Sequence, residues 1–242
     1  MKKFISLSLI LSLVFCFAAC GGNENNDSNY QNNDTTKNSS LNNEVVLDID
    51  FVIPTEDSFR VENDGDGVKI VDCSATESNI EIPEKINGKI VKSIGSGAFN
   101  NAEITAIKFA DTIETVEDAA FIDSYELETV VINSNLKVIP SCCFQNSSLS
   151  TVVIPEGVVK LEDNAFFGCN NLKSVTIPNS VESIGPTAFA YCENLGEVKV
   201  LSNVTELLDG VFYCSDKVSL LVQSGSQAEA YAKEKNIEYK IY

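Results

Sequence analysis

The chain has 242 residues, with 17 Lys and Arg against 35 Asp and Glu, a formal net charge of −18, and neither His nor Trp. Phosphate binding needs a basic footprint, so this balance argues against nucleic acid and anionic lipid surfaces as partners; it fits a soluble, self-repelling surface. The lack of His removes Ser-His-Asp and Cys-His mechanisms and His-ligated metal centres, and G-x-G-x-x-G and P-loop motifs are absent too.

Residues 1–20 open with Lys2 and Lys3, continue through an apolar run from Phe4 to Phe17, and end on Ala18-Ala19 before Cys20. This is the pattern of a secretory signal. Small residues ahead of a Cys, then Gly21-Gly22 and a polar stretch, resemble the processing site of bacterial lipoproteins. That resemblance makes Cys20 the expected lipid-attachment residue. Phe17 departs from the aliphatic residue usual there, and plain cleavage with secretion is the competing reading. Residues 21–44 are rich in Asn, Ser and Asp, a composition that cannot bury a core, and are expected to form a disordered tether.

Residues 45–103 are expected to form an N-terminal cap and entry coil. Within them, residues 45–58 are either a continuation of the tether or a strand covering the first coil. From Phe59 the sequence predicts a hairpin turning at Asp64-Gly65-Asp66-Gly67, and a second turn at Asn87-Gly88. The DGDG stretch also invites a calcium-loop reading. It lacks the further acidic positions and terminal Glu of such loops, so a hairpin turn is favoured.

Residues 104–218 repeat. Five copies run Ile104–Glu126, Leu127–Ser148, Leu149–Asn171, Leu172–Asn194 and Leu195–Val218, with an irregular one before them. One Phe marks each copy: Phe99, Phe121, Phe144, Phe166, Phe189 and Phe212, spaced 22 or 23 residues apart. A branched aliphatic stands five residues before each: Ile94, Val116, Ile139, Leu161, Ile184 and Leu207. In VTIP-type segments Val175 and Ile177 alternate with Ser174 and Thr176, the period of a strand with one buried face. Pro155 and Pro178 close such strands. The following half reads as turns with a short helical turn around the Phe. One coil cannot bury its apolar face alone, so the fold class predicted is mostly β with turns and short helices. It is a solenoid of about six coils with a parallel sheet, one strand per coil, closed by a hairpin cap and a C-terminal cap.

The final residues, 219–242, break the period. SLLVQ supplies a strand, Ser226–Glu234 a short helix with Ser226 or Ser224 as N-cap, and Ile237–Tyr242 a terminal strand. A partner-binding helix is the alternative to a cap.

The repeat resembles the bacterial BspA-like type of leucine-rich repeat. Leu172, Val175, Ile177, Pro178, Val181, Ile184, Gly185, Ala188, Phe189 and Cys192 match that pattern, and the resemblance covers roughly residues 59–242. It implies the fold and a surface location on the cell envelope, not a ligand. It also implies that the repeat Cys is a buried thiol. Cys169, Cys192 and Cys214, the last one residue early, could otherwise pair as disulfides, because stacked coils stand about 5 Å apart. No C-x-x-C spacing supports zinc, and no cofactor is expected.

The variable letters lie on the outward sheet face. Its expected positions are Ala106 and Lys108, Thr129 and Val131, Thr151 and Val153, Ser174 and Thr176, Glu197 and Lys199. A mixed apolar and hydroxyl strip suits recognition of a protein or glycan; a solvated sheet is the plain alternative. Paired carboxylates at Glu117-Asp118 and Glu162-Asp163 are read as solvated turns, not as catalysts. Lys92, Glu114 and Lys137 share one turn position and are expected to pair across coils. The resulting expectation is a monomeric, lipid-anchored binding or adhesion module without catalysis, meeting the membrane only through its lipid. A scaffold lipoprotein of an envelope complex is the alternative.

Overall fold

The computed structural model describes residues 49–201 and 204–242. The expected signal, Cys20 and the tether lie outside them. Among the described residues no helix is long and apolar enough to cross a membrane.

A column of phenylalanines is the centre of the fold. Phe99, Phe121, Phe144, Phe166, Phe189 and Phe212 stack in order, with centroid separations of 4.8, 5.2, 5.4, 5.0 and 5.9 Å. All are buried. Burial of each contributes about 1.5–3 kcal/mol, and each stacked pair adds about 0.5–1.5 kcal/mol. The 22- or 23-residue period exists because one circuit of the coil returns each ring over the last.

Two parallel ladders flank this column. The long-strand row runs Asn79–Glu81, Ala106–Lys108, Thr129–Val131, Thr151–Val153, then Val175–Ile177, Glu197–Val200, Ser219–Val222 and Glu238–Ile241. It is hydrogen-bonded as two four-stranded ladders, with the break between Val153 and Val175, so the single continuous sheet expected is corrected to two. The second row was not foreseen. Val138–Ile139, Lys160–Leu161, Ser183–Ile184 and Glu206–Leu207 pair in parallel, and Thr115–Val116 pairs with Ser93-Ile94. The branched aliphatic five residues before each Phe therefore sits in a strand. Two residues are too few to show alternation, which hid this row from the sequence.

No helical turn surrounds the Phe. Instead the residues two before and two after each Phe are left-handed, with φ between 54° and 70°. Before the Phe they are Gly97, Ala119, Cys142, Asn164, Thr187 and Gly210; after it they are Asn101, Asp123, Asn146, Gly168, Tyr191 and Cys214. A non-Gly residue in this region costs on the order of 1–2 kcal/mol. The stacked coils impose the bend regardless of residue type.

The N-terminal cap is a hairpin of Phe59–Asp64 and Gly67–Cys73, joined in parallel to Lys89–Ile94. Lys85–Ile86 turns antiparallel onto Lys89-Ile90 through Asn87 and Gly88, both at positive φ. For the described part of residues 45–58, from residue 49 on, the open reading resolves toward coverage of the first coil. Val52 donates its N–H to the Asn79 carbonyl (3.0 Å) and accepts from the Glu81 amide (2.8 Å), which bridges the first strand edge. Glu56–Ser58 follows as a single 3-10 turn. At the other end the only α-helix among the described residues, α1 (Gln227–Lys235), is capped by Ser226, whose hydroxyl accepts the Glu229 amide at 3.2 Å. Asn236 ends it in the left-handed conformation.

Candidate functional site

The long-strand row presents two lines of outward residues in register. One is Asn79, Ala106, Thr129, Thr151; the other is Glu81, Lys108, Val131, Val153. Past the break, Thr176, Lys199, Leu221 and Lys240 continue the second line, and Glu197, Ser219 and Glu238 the first. The inward residues Ile80, Ile107, Val130 and Val152 are all buried, which holds the outward ones in place.

Thr151, Ser174, Thr176 and Glu197 are exposed, while Lys108, Thr129, Val131, Val153 and Lys199 are half-buried. Ala106 is a correction. It is 2% exposed, because its single methyl lies between Asn79 and Thr129 in the ladder. Val131 and Val153 are direct cross-strand neighbours, as expected. Lys108 is held by Glu81 at 3.0 Å, and the Lys199 ammonium stands 5.4 Å from the Tyr242 ring centre. Glu81, Leu221 and Lys240 belong to the same line and were missed. They lie in the caps, and the alignment of IEIP, LLVQ and YKIY with VTIP is the signal that could have found them.

The other candidates resolve structurally. Asp64 accepts the Ser93 hydroxyl at 2.5 Å and Asp66 is paired with Lys92, so the DGDG turn is tied to the first coil. Lys92 thus bonds the hairpin; no ion pair joins it to Glu114, nor Glu114 to Lys137, among the described residues. The hairpin places a carboxylate nearer than the next coil does. Glu117 takes Lys69 at 2.6 Å and the Ser96 amide at 3.0 Å, and these hold its carboxyl below the usual carboxylate range. Glu162 takes Lys160 at 3.0 Å. A general acid needs the opposite shift and an enclosing pocket. Among the described residues no group of acidic or Cys side chains is arranged to hold a metal ion.

The cysteine register needed correction. Three residues after each Phe from Phe121 onward stand Ser124, Ser147, Cys169, Cys192 and Ser215, all buried. Ser124 donates to the Phe99 carbonyl (2.8 Å), Cys169 to that of Phe144 (3.2 Å), Cys192 to that of Phe166 (3.2 Å) and Ser215 to that of Phe189 (2.8 Å). Ser215, not Cys214, continues the column; Cys214 is the left-handed residue beside it. Cys169 and Cys192 are free thiols. Burial pushes the Cys169 thiol up to about 12 and that of Cys192 further in the same direction.

Three surface aromatics were not singled out from sequence. Phe167 and Tyr191 lie 5.0 Å apart, and Tyr191 and Tyr213 lie 5.7 Å apart, along one corner of the solenoid.

Comparison with known proteins agrees with this architecture. The chain superposes on a T. pallidum leucine-rich-repeat protein with a TM-score of 0.66 and 20% identity, over 79% of this chain and 98% of that one. It superposes on a leucine-rich-repeat protein from Bacteroides ovatus with a TM-score of 0.60 and 28% identity, over 72% of this chain and 49% of that one. This chain thus matches about half the length of the Bacteroides protein. No match was found among curated proteins. The model of the BspA type leucine-rich-repeat region matches residues 92–219 in six copies, so the chain belongs to the BspA-type leucine-rich-repeat family.

Proposed function

We propose that this protein is a cell-surface binding or adhesion module that recognises a protein or glycan through a preformed face and performs no catalysis. The observation that carries the reading is the outward line of the long strands, where Val131 and Val153 are adjacent in register. Lys108 and Lys199 stand toward either end of that line, and Thr129, Thr151, Ser174, Thr176 and Glu197 complete the face. Every one of these residues is anchored by buried neighbours on the same strands, so little ordering entropy opposes binding. A mixed apolar and hydroxyl surface is the composition that recognition faces use. The family and both structural relatives are described as leucine-rich-repeat proteins, and none as an enzyme.

In this reading residues 1–20 direct export, Cys20 carries lipid, and residues 21–44 hold the solenoid clear of the membrane. Palmitate labelling tests the anchor; label that persists after Cys20→Ala refutes it. A pulldown with residues 45–242, compared with Val131→Glu/Val153→Glu in the same fragment, tests the face. Binding is expected to fall at least about tenfold, equivalent to about 1.4 kcal/mol. Unchanged capture places the site elsewhere.

A further inference from the structure

The two rows of strands do not end together. Short strands stop at Glu206–Leu207, while long strands continue through Ser219–Val222 and Glu238–Ile241. In four earlier coils two carbonyls, two residues apart in sequence, each accept an N–H from the next coil: Lys92 and Ile94, Lys137 and Ile139, Val159 and Leu161, and Glu182 and Ile184. The coil of Glu114 and Val116 is the exception, because Pro140 of the next coil has no N–H to give Val116. Thr205 and Leu207 hold the same positions in the last coil. Among the described residues no backbone N–H reaches their carbonyls.

Helix α1 stands where the next coil would be. Its Tyr231 meets Phe212 edge-on at 6.4 Å and closes the phenylalanine column. Between the helix and the last short strand remains a groove of about 360 Å³, lined by Thr205, Glu206, Leu207, Leu208, Ala230 and Glu234 among others. Leu208 is 43% exposed. Glu206 and Glu234 line the groove, and beside it Lys235 pairs with Asp209 and with Glu234.

An open strand edge is a template for another strand. Here it comes with space, an apolar wall and negative charge. We infer that this groove binds an extended, basic segment of a partner polypeptide by strand addition, in which amides reach the Thr205 and Leu207 carbonyls. Apolar side chains of the segment lie along Leu207 and Leu208, and alternate Lys or Arg side chains face Glu206 and Glu234. This site is separate from the long-strand face and stands without it.

The test uses a fluorescein-labelled peptide of alternating Val and Lys, followed by anisotropy with the whole protein. The control peptide has the same sequence with alternate amides N-methylated, which keeps charge and composition and removes the strand-forming donors. The expected result is saturable binding of the parent peptide, about tenfold weaker on N-methylation and about tenfold weaker for Glu206→Lys/Glu234→Lys. Ala230→Trp, which fills the groove from an exposed helix position, is expected to abolish binding with the circular dichroism unchanged. No binding of the parent peptide overturns the proposal. So does equal binding of the N-methylated peptide, which marks simple attraction to an acidic surface, and so does unchanged binding by either groove variant. Val131→Glu/Val153→Glu is expected to leave this binding intact; a loss there assigns the peptide to the long-strand face and overturns the groove.

Discussion

Phe166 and Phe189 stack with ring centroids 5.0 Å apart and planes 4° from parallel. They are 23 residues apart in the chain, and both are fully buried. Phe166→Ala removes a ring with stacked partners on both sides, so it is expected to cost about 3–5 kcal/mol in urea denaturation. Each coil contacts chiefly its neighbours, so the damage is expected to split the transition into two steps. A single transition shifted by less than about 1.5 kcal/mol would show that the column is not the main source of cohesion.

Ser215 carries two buried hydrogen bonds. Its hydroxyl donates to the Phe189 carbonyl at 2.8 Å and accepts the Cys192 amide at 2.9 Å. Ser215→Ala is expected to destabilise by about 1–3 kcal/mol, since two backbone groups lose a partner. Ser215→Cys should recover part of that loss, because Cys169 and Cys192 donate to the equivalent carbonyls. Equal losses for Ala and Cys in thermal denaturation would contradict the equivalence of the column.

The left-handed positions make opposite predictions at two sites. Ala119 has φ 58° and Gly168 has φ 70°. Ala119→Gly is expected to stabilise by about 0.5–1 kcal/mol, after allowance for the entropy Gly gains when unfolded. Gly168→Ala is expected to destabilise by at least about 1 kcal/mol. It acquires the strain, and its Cβ would stand 2.5 Å from Asn146 Oδ1. A stabilising Gly168→Ala would mean that the bend is not imposed by the coil.

Cys169 and Cys192 are buried as thiols in the repeat column. Burial pushes Cys169 up to about 12 from an ordinary 9.0. A group raised on folding contributes stability that is complete below its unfolded value and is lost as pH rises through its folded value. The window here is therefore from about pH 9 to about pH 12. In it Cys169 steepens the decline by about 1.4 kcal/mol per pH unit. Cys169→Ala is expected to be less stable than wild type at pH 8, with the gap narrowing toward pH 11 in urea titrations. A gap constant with pH would remove the thiol from the account.

Residue types were enough to establish the repeat copies, the phenylalanine column, the caps and the outward letters of the repeat strands, though not those of the cap strands. These rest on period and on apolar side chains, which have to be buried wherever the chain goes. A Ser N-cap, Ser226 or Ser224, and the Asn87-Gly88 turn were legible for the same local reason, and the cap is Ser226. What only the tertiary structure decided depends on one coil lying on another. Two-residue strands such as Ser183–Ile184 exist because Lys160–Leu161 and Glu206–Leu207 flank them. Thr187 and Tyr191 take left-handed backbone because neighbouring coils bend there, against their own preferences. Cys214 and Ser215 differ by one place along the chain; Ser215 keeps the three-residue spacing from the Phe and enters the column, while Cys214 takes the left-handed position beside it. Where stacking stops, at Thr205–Leu207 beside α1, backbone acceptors are left facing a groove that no letter of the repeat announces.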